Sequence, residues 1–202
     1  MPTSPDRRRC RENRDPDATI TPTGAARPGR STIVTTNEQI LVRPGELDDL
    51  PALTEIYNHY VVHSPVTFDI TPFTVARRRA WFDAHPATGP HRLLVAESAG
   101  RVVGYATSSA FRPRPAYDTS VETSVYCASD QGGRGAGTLL YEGLFTLLGQ
   151  QDVHRAYAGI ALPNDASERL HQKFGFTPLG VYREVGRKFG RYWDVAWFER
   201  EL

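Results

Sequence analysis

The sequence is poor in cysteine, carries almost no net charge and has no long apolar run. Its two cysteines, Cys10 and Cys127, are too few for a disulfide framework and are typical of a reducing compartment. The formal net charge of +1 argues against a nucleic-acid-binding domain, because most such domains carry a large excess of basic residues. No apolar run approaches the length that crosses a bilayer. We therefore expect a cytoplasmic protein whose partner is neither a nucleic acid nor a membrane.

The first 38 residues differ in composition from the rest of the chain. They are rich in Arg, Pro, Thr and Asp, and they show no hydrophobic periodicity before Ile33 and Val34. Such a segment buries too little apolar surface to offset the entropy of ordering, so we predict a disordered N-terminal extension over residues 1–38. A basic arm that binds nucleic acid is the alternative. Residues 39–202 are predicted to form the folded domain.

Hydrophobic periodicity and turn residues predict alternating strands and helices from residue 40 onward. Helices are predicted from a cap at Asp48 to about His63, from a cap at Thr74 to before Pro86, over 138–148, and from a cap at Asp165 to Gly175. Strands are predicted over 40–43, 92–98, 102–109, 121–128, 157–161, 177–183 and 192–199. This order, β-α-α-β-β-β-α-β-α-β-β, indicates an α/β domain with a mixed sheet.

A glycine-rich run connects the strand at 121–128 to the helix that follows it. Positions 132–137 read Gly-Gly-Arg-Gly-Ala-Gly. Glycines at such a turn let backbone amides converge, and the helix N-terminus adds partial positive charge. The run therefore predicts a binding site for phosphate or pyrophosphate. A tight turn also needs glycine, so the residues downstream decide between the two interpretations.

These features together resemble the GNAT superfamily of acyl-CoA N-acetyltransferases. The superfamily's pyrophosphate loop, Gln/Arg-x-x-Gly-x-Gly/Ala, falls on positions 132–137, with Gly132 in place of Gln or Arg. A second signature, Asn-x-x-Ala-x-x-x-Tyr-x-x-x-Gly-Phe, is matched by Asn164, Ser167, His171, Gly175 and Phe176, with His where Tyr is usual. Segments 121–126 and 160–165 are similar to the phosphinothricin-acetyltransferase-like branch. The resemblance covers about residues 40–202.

The resemblance implies a fold and a cofactor. It implies a mixed, mostly antiparallel twisted sheet flanked by helices, whose splayed central strands hold acetyl-CoA as the acyl donor, with no metal. The coenzyme contacts that it implies are Val125, Cys127, Gly133, Arg134, Gly135, Gly137, Thr138, Asn164 and Ser167. For some of these a structural role is the alternative: Val125 and Cys127 as core, Asn164 as a helix cap, and Arg134 as a solvated side chain.

Two residues are candidates for acid–base chemistry. An acceptor ammonium must lose a proton before the amine can attack, and the resemblance gives this role to Glu122, acting directly or through water. The alternative is an edge carboxylate paired with an arginine. The resemblance places His171 beside the coenzyme sulfur, where it would protonate the departing thiolate or orient the thioester. The alternative is a helix histidine bonded to a backbone carbonyl.

The loop at 112–117 is the candidate binding site for the acyl acceptor. Its two guanidinium groups, on Arg112 and Arg114, suit a carboxylate or phosphinate through bidentate pairing. Tyr117 and Phe68 are expected to form walls of the same pocket. The alternatives are a solvated loop and two aromatic core residues.

The resemblance implies a particular reaction. It is transfer of an acetyl group to the primary amine of a small amino acid analogue, such as phosphinothricin or methionine sulfone or sulfoximine, by direct attack after deprotonation by Glu122. The alternatives are a protein or peptide N-terminal acetyltransferase and a non-catalytic acyl-CoA-binding domain. The resemblance and the aromatic-rich C-terminal segment also leave a homodimer open.

Overall fold

The computed structural model describes residues 36–37 and 40–202. The helices are α1 (Leu50–His63), α2 (Val75–Asp83), α3 (Ala136–Leu148) and α4 (Asp165–Lys173). The strands are β1 (Thr36–Asn37), β2 (Ile40–Pro44), β3 (Arg92–Ser98), β4 (Arg101–Ala110), β5 (Ser120–Cys127), β6 (Arg155–Ala161), β7 (Thr177–Lys188) and β8 (Arg191–Glu201). Apart from β1, which pairs with β2, the predicted N-terminal extension lies outside the described residues.

The strands form one mixed sheet in the order β1-β2-β3-β4-β5-β6-β8-β7. β5 and β6 pair in parallel, and every other neighbouring pair in the described sheet is antiparallel. The predicted α/β fold, mostly antiparallel with splayed central strands, is confirmed. Within the described residues, no helix is long and apolar enough to cross a membrane.

Several predicted turns and caps form as expected. The hairpin of β3 and β4 turns at Ala99 and Gly100, whose φ angles of 50° and 73° lie in the left-handed region that a two-residue hairpin turn requires to match the right-handed twist of its strands. The Thr74 side chain accepts a hydrogen bond from the backbone N–H of Arg77 and thereby caps α2. α3 begins at Ala136, earlier than the predicted Thr138, because the glycine run itself supplies its first turn.

The caps predicted at Asp48 and Asp165 were wrong, whereas the interpretation of Asn164 as a helix cap is confirmed. α1 follows a single 3₁₀ turn over Leu47–Asp49, and its N-cap is Asp49 instead of Asp48. The Asp49 carboxylate accepts hydrogen bonds from the backbone N–H of Glu46 and from Arg43, which fixes the turn. At α4 the cap is Asn164 instead of Asp165, since the Asn164 Oδ1 accepts from the Ser167 N–H at 3.2 Å.

The sheet separates two apolar layers. α3 packs Leu140, Leu144 and Leu148 on one face, and a smaller cluster with Leu53 and Tyr105 covers the face toward α1 and α2. Because side chains alternate along a strand, β5 contributes to both layers. Its residues Val121, Thr123, Val125 and Cys127 face α3, whereas Glu122, Ser124 and Tyr126 face the opposite layer.

Leu140→Ala tests the α3 layer. Leu140 is fully buried, so truncation leaves a cavity, and we expect the free energy of unfolding to fall by about 2–5 kcal/mol. Thr146→Ala, on the exposed face of the same helix, should change it by less than about 0.5 kcal/mol. Urea unfolding followed by circular dichroism measures both. Equal effects would contradict the packing described for α3.

Candidate active site

The central feature of the site is the point at which β5 and β6 separate. Their pairing ends at Glu122 opposite Tyr157, although β5 continues to Cys127 and β6 to Ala161. At the fork, the Thr123 hydroxyl donates to the Tyr157 carbonyl at 3.4 Å. Beyond it a cavity of about 540 Å³ opens, lined by both strands, the glycine run and α4. An extended ligand can therefore enter between the two strands.

The glycine run forms one end of this cavity. Gly133 and Gly135 have φ angles of 75° and 88°, which L-residues rarely adopt, and Gly135 is the N-cap of α3. A Cβ added at Gly132, Gly133 or Gly135 would meet nothing within 4 Å, so the loop borders open space. The first amides of α3 have no acceptor inside the helix, and the helix dipole favours an anion there. The loop can bind a pyrophosphate through its backbone.

Most of the predicted coenzyme residues lie in the wall of this cavity. They are Val125, Cys127, Gly133, Gly135, Gly137, Thr138, Asn164 and Ser167. Arg134 is exposed and does not line it. The cap formed by Asn164 agrees with its structural interpretation and is compatible with a contact to the ligand.

Cys127 is held by a residue that the sequence analysis did not single out. The Tyr60 hydroxyl, from α1, donates to the Cys127 carbonyl at 2.6 Å, so this carbonyl already has a partner. Burial raises the pKa of the Cys127 thiol to about 11 and keeps it neutral. The Tyr60 bond fixes the end of β5 where the chain turns into the glycine run.

Glu122 is half-buried on the β5 face that points toward α1 and α2. Its cross-strand neighbours are Ser109 on β4 and Tyr157 on β6. Burial raises the pKa of the Glu122 carboxyl, and the positive charge of Arg112 opposes that shift. In the described part of the chain, no basic nitrogen lies within 4 Å of this carboxylate. The close ion pair required by the alternative interpretation is therefore missing from the described residues.

His171 lines the coenzyme cavity but is only 3% exposed. Its Nδ1 lies 2.8 Å from the Ser167 carbonyl, which can only accept, so Nδ1 carries the proton. Nε2 therefore accepts from the Tyr141 hydroxyl at 2.9 Å. Burial lowers the pKa of the His171 ring, which favours this neutral form. Both ring nitrogens are engaged within the protein, and the bond to a backbone carbonyl matches the structural alternative.

A second, smaller cavity lies on the other side of β5. Its volume is about 220 Å³, and both cavities border Ser124 and Tyr126, so they adjoin at this strand. It lies between β4, β5 and the first two helices, and its other lining residues are Tyr57, Asp69, Phe73, Arg77, Arg78, Trp81, Tyr105, Thr107 and Ser109. This cavity was not predicted, because its lining residues come from segments that lie far apart in the sequence.

The predicted acceptor residues do not converge on that second cavity. Arg112 stacks over the Phe111 ring at 4.3 Å and lines a third cavity of about 270 Å³ with Tyr157 and Trp197. Arg114 and Tyr117 are exposed. Phe68 packs against Gly186, so closely that an added Cβ there would overlap the ring. Of this set, Arg112 is the residue whose charge acts on Glu122.

The split sheet and the glycine loop at a helix N-terminus define an acyl-CoA-dependent acyltransferase. Residues 42–197 match the acetyltransferase (GNAT) domain family. The chain belongs to this family and is an enzyme. Members of the family use acetyl-CoA, and the open loop and cavity described above suit its pyrophosphate and extended arm. Among the described residues, no group of His, Cys, Asp and Glu could hold a metal ion.

Named relatives are similar over most of the chain. A phosphinothricin N-acetyltransferase from Streptomyces coelicolor is 60% identical over 81% of this chain and 97% of its own. An L-methionine sulfoximine/L-methionine sulfone acetyltransferase from Pseudomonas paraeruginosa is 37% identical over 80% of this chain and 94% of its own. The crystal structure of a phosphinothricin acetyltransferase from Sinorhizobium meliloti in complex with acetyl-CoA has a TM-score of 0.76 at 32% identity, covering 81% and 89% of the two chains.

Gly135→Ala tests the glycine loop. A side chain at φ 88° costs about 1–2 kcal/mol, so we expect either that loss in the free energy of unfolding or a shifted loop with about tenfold weaker coenzyme A binding. Gly132→Ala is the control, because φ −58° suits alanine and the position borders open space. Urea unfolding and isothermal titration with coenzyme A measure both variants. Identical behaviour of the two would contradict the role given to Gly135.

Proposed function

We propose that the enzyme acetylates the primary amine of a small amino acid analogue such as phosphinothricin, methionine sulfone or methionine sulfoximine. The observation that carries the proposal is the meeting of the two cavities at Ser124 and Tyr126, on the β5 face that also bears Glu122. A donor held on one side of β5 and an amine held on the other would meet at this strand. The named activities of the two relatives support the choice of acceptor.

The coenzyme would be held mainly by backbone groups. The open amides of the glycine run and of the first turn of α3 would bind the pyrophosphate, and Val125 and Ser167 would flank the extended arm. Because Gly132 replaces the usual Gln or Arg and Arg134 is not part of the cavity lining, side chains would contribute little there. Bound acetyl-CoA supplies the acetyl group as a thioester.

Glu122 is proposed as the general base. Its carboxylate would take a proton from the acceptor ammonium, directly or through water, which frees the amine's electron pair for attack. Burial supports this role, since a raised pKa brings the carboxyl closer to the pH at which it works and strengthens it as a base. The positive charge of Arg112, which lines the third cavity, would favour the ionised form of this carboxylate.

The role of His171 is proposed in two parts. Its bonds to the Ser167 carbonyl and the Tyr141 hydroxyl support a positioning role, because they join α4 to α3 beside the coenzyme cavity. Protonation of the departing thiolate by His171 stays a prediction from the family resemblance. It requires a ring N–H to turn from its present partners toward the cavity.

The size of the second cavity favours a small acceptor over a peptide. A volume of about 220 Å³ suits one amino acid, whereas an N-terminal acetyltransferase of proteins needs room for several residues. Phe68, Arg114 and Tyr117, predicted for the acceptor, lie outside the lining of this cavity. For them a contact with the acceptor requires movement of their loops.

We also infer a cytoplasmic location and a homodimer. The half-buried, free thiol of Cys127 supports the first, since it suits a reducing compartment. Large apolar side chains left exposed along β7 and β8 support the second. They are Leu179, Val181, Tyr182, Val185, Phe189 and Tyr192.

An acceptor panel tests the proposal directly. We expect thiol release from acetyl-CoA with phosphinothricin, methionine sulfone or methionine sulfoximine, and at most a trace with a short peptide that has a free N-terminus. A colorimetric thiol assay measures the initial rates. Thiol release with the peptide alone would favour the N-terminal acetyltransferase and refute the small-acceptor proposal.

Glu122→Gln tests the base. Loss of the carboxylate should lower kcat/KM by about 10²–10⁴-fold. In the unmodified enzyme the rate should fall with decreasing pH, beginning above the ordinary carboxylate range because the pKa is raised, and this limb should be missing in the variant. Initial rates between pH 5 and 9 measure both.

The same variant separates catalysis from stability. Because the pKa of Glu122 is higher in the folded state than in the unfolded chain, ionisation of Glu122 destabilises the fold as pH rises. Glu122→Gln should therefore unfold at the same or a higher temperature at pH 7. An unchanged kcat/KM, or a lower unfolding temperature that accounts for the lost rate, would exclude Glu122 as the base.

A further inference from the structure

One arginine of α2 is buried without an acidic partner. The helix carries three arginines in succession, of which Arg77 and Arg79 are exposed and Arg78 is only 4% exposed. Burial of a guanidinium is unfavourable unless its charge and its donors are satisfied. Arg79 has such a partner in Asp83, at 2.8 Å, on the surface. For Arg78, no carboxylate among the described residues lies within 4 Å.

The surroundings of Arg78 orient the guanidinium without neutralising it. The group lies between two aromatic rings, 4.2 Å from the Tyr57 centroid and 4.0 Å from that of Trp81. Its Nη2 lies 3.5 Å from the Tyr105 hydroxyl, at the limit of a hydrogen bond, and its Nε has no partner. Stacking holds the plane of a guanidinium and leaves its N–H edge free to bind oxygen atoms.

The Arg78 guanidinium lines the second cavity, and no other described side chain in the lining forms an ion pair with it. The one acidic residue among the described lining residues, Asp69, accepts a hydrogen bond from the Tyr57 hydroxyl. The remaining polar side chains of β4 and β5 in the lining are the hydroxyls of Tyr105, Thr107, Ser109, Ser124 and Tyr126. Apart from Asp69, the charged groups of the lining are the guanidinium groups of Arg77 and Arg78, so the cavity combines an excess of positive charge with hydroxyl groups, which suits an oxyanion.

The pairing of β4 with β5 gives the order in which residues lie along this face of the sheet. Tyr105 pairs with Tyr126, Thr107 with Ser124, and Ser109 with Glu122, in three successive rows of one sheet face. Rows two residues apart are separated by about 7 Å. Arg78 lies at the Tyr105 row, Glu122 at the far row, and Ser124, between them, borders the coenzyme cavity. An acceptor whose amine lies near Ser124 extends by one row to reach Arg78.

We propose that Arg78 is the oxyanion subsite of the acceptor pocket. It binds the carboxylate or the phosphinate of the acceptor through its free N–H edge, and so selects acidic amino acid analogues over plain amines. This inference rests on the function proposed above. The two possible sources share one chemistry, an oxyanion with two adjacent oxygens, which a guanidinium binds in a bidentate manner.

The test uses Arg78→Met, which keeps an unbranched apolar side chain between the two rings but removes the guanidinium and its charge. Arg79→Met is the matched control on the same helix. Titration calorimetry in the presence of coenzyme A measures the Kd of phosphinothricin, methionine sulfone and their carboxamides. We expect Arg78→Met to raise the Kd of phosphinothricin about 10- to 100-fold, the range for a charge-assisted pair, and Arg79→Met to change it less than about twofold. In acetylation assays, KM should rise more than kcat falls.

The comparison of phosphinothricin, methionine sulfone and their carboxamides shows whether Arg78 binds the carboxylate or the phosphinate. If Arg78→Met no longer distinguishes acid from carboxamide, Arg78 binds the carboxylate. If it no longer distinguishes phosphinothricin from methionine sulfone, Arg78 binds the phosphinate. Either pattern supports the subsite. If Arg78→Met raised the Kd by the same factor for every acceptor, including an amine without an acidic group, the subsite would be refuted.

Two further outcomes keep the inference separate from the proposed function. Binding of phosphinothricin without acetylation would refute the function and leave the subsite to be judged from the Kd values. If Arg78→Met does not fold, the unmodified enzyme decides the question. Equal Kd values for each acid and its carboxamide, together with equal values for phosphinothricin and methionine sulfone, would then overturn the subsite.

Discussion

The chemistry of this enzyme depends on the place where two parallel strands stop pairing. β5 and β6 are joined only as far as Glu122 and Tyr157, and β6 then continues beside β8 while β5 turns toward the glycine run. Backbone amides and carbonyls along such an opening need partners, and an extended ligand with amide groups can supply them. The Thr123 bond at the fork and the Tyr60 bond at Cys127 hold the two ends of the β5 edge. The opening is therefore built into the sheet.

The alternation of side chains along β5 places different residues on the two faces of the sheet. Val121 and Thr123 face the α3 layer and belong to the buried interior, whereas Glu122 and Ser124 lie on the opposite face, where Ser124 lines the second cavity. A half-buried carboxylate can thus be placed next to a well-packed core without entering it.

Much of the fold and of the coenzyme cavity could be predicted from the sequence, because local patterns determine them. The glycine run, the Thr74 cap and the Ala99–Gly100 turn each depend on neighbouring residues. Both Asn164 and Asp165 were candidates for the cap of α4, because the two residue types have similar capping tendencies, and backbone geometry decides for Asn164. The second cavity could not be predicted, since α1, α2, β4 and β5 meet there only through the register of the sheet.

The narrow boundary between the two cavities has an evolutionary consequence. Among the described lining residues, the cavities share only Ser124 and Tyr126. Positions such as Phe73 and Thr107 border only the second cavity, so substitutions there leave the lining of the cavity beside the glycine run unchanged. Under the proposed function, acceptor specificity and donor binding are therefore separate mutational targets. Substitutions in this wall would let a lineage change the amine that it acetylates while it keeps its acetyl-CoA site, and a laboratory library restricted to the same wall would follow that route.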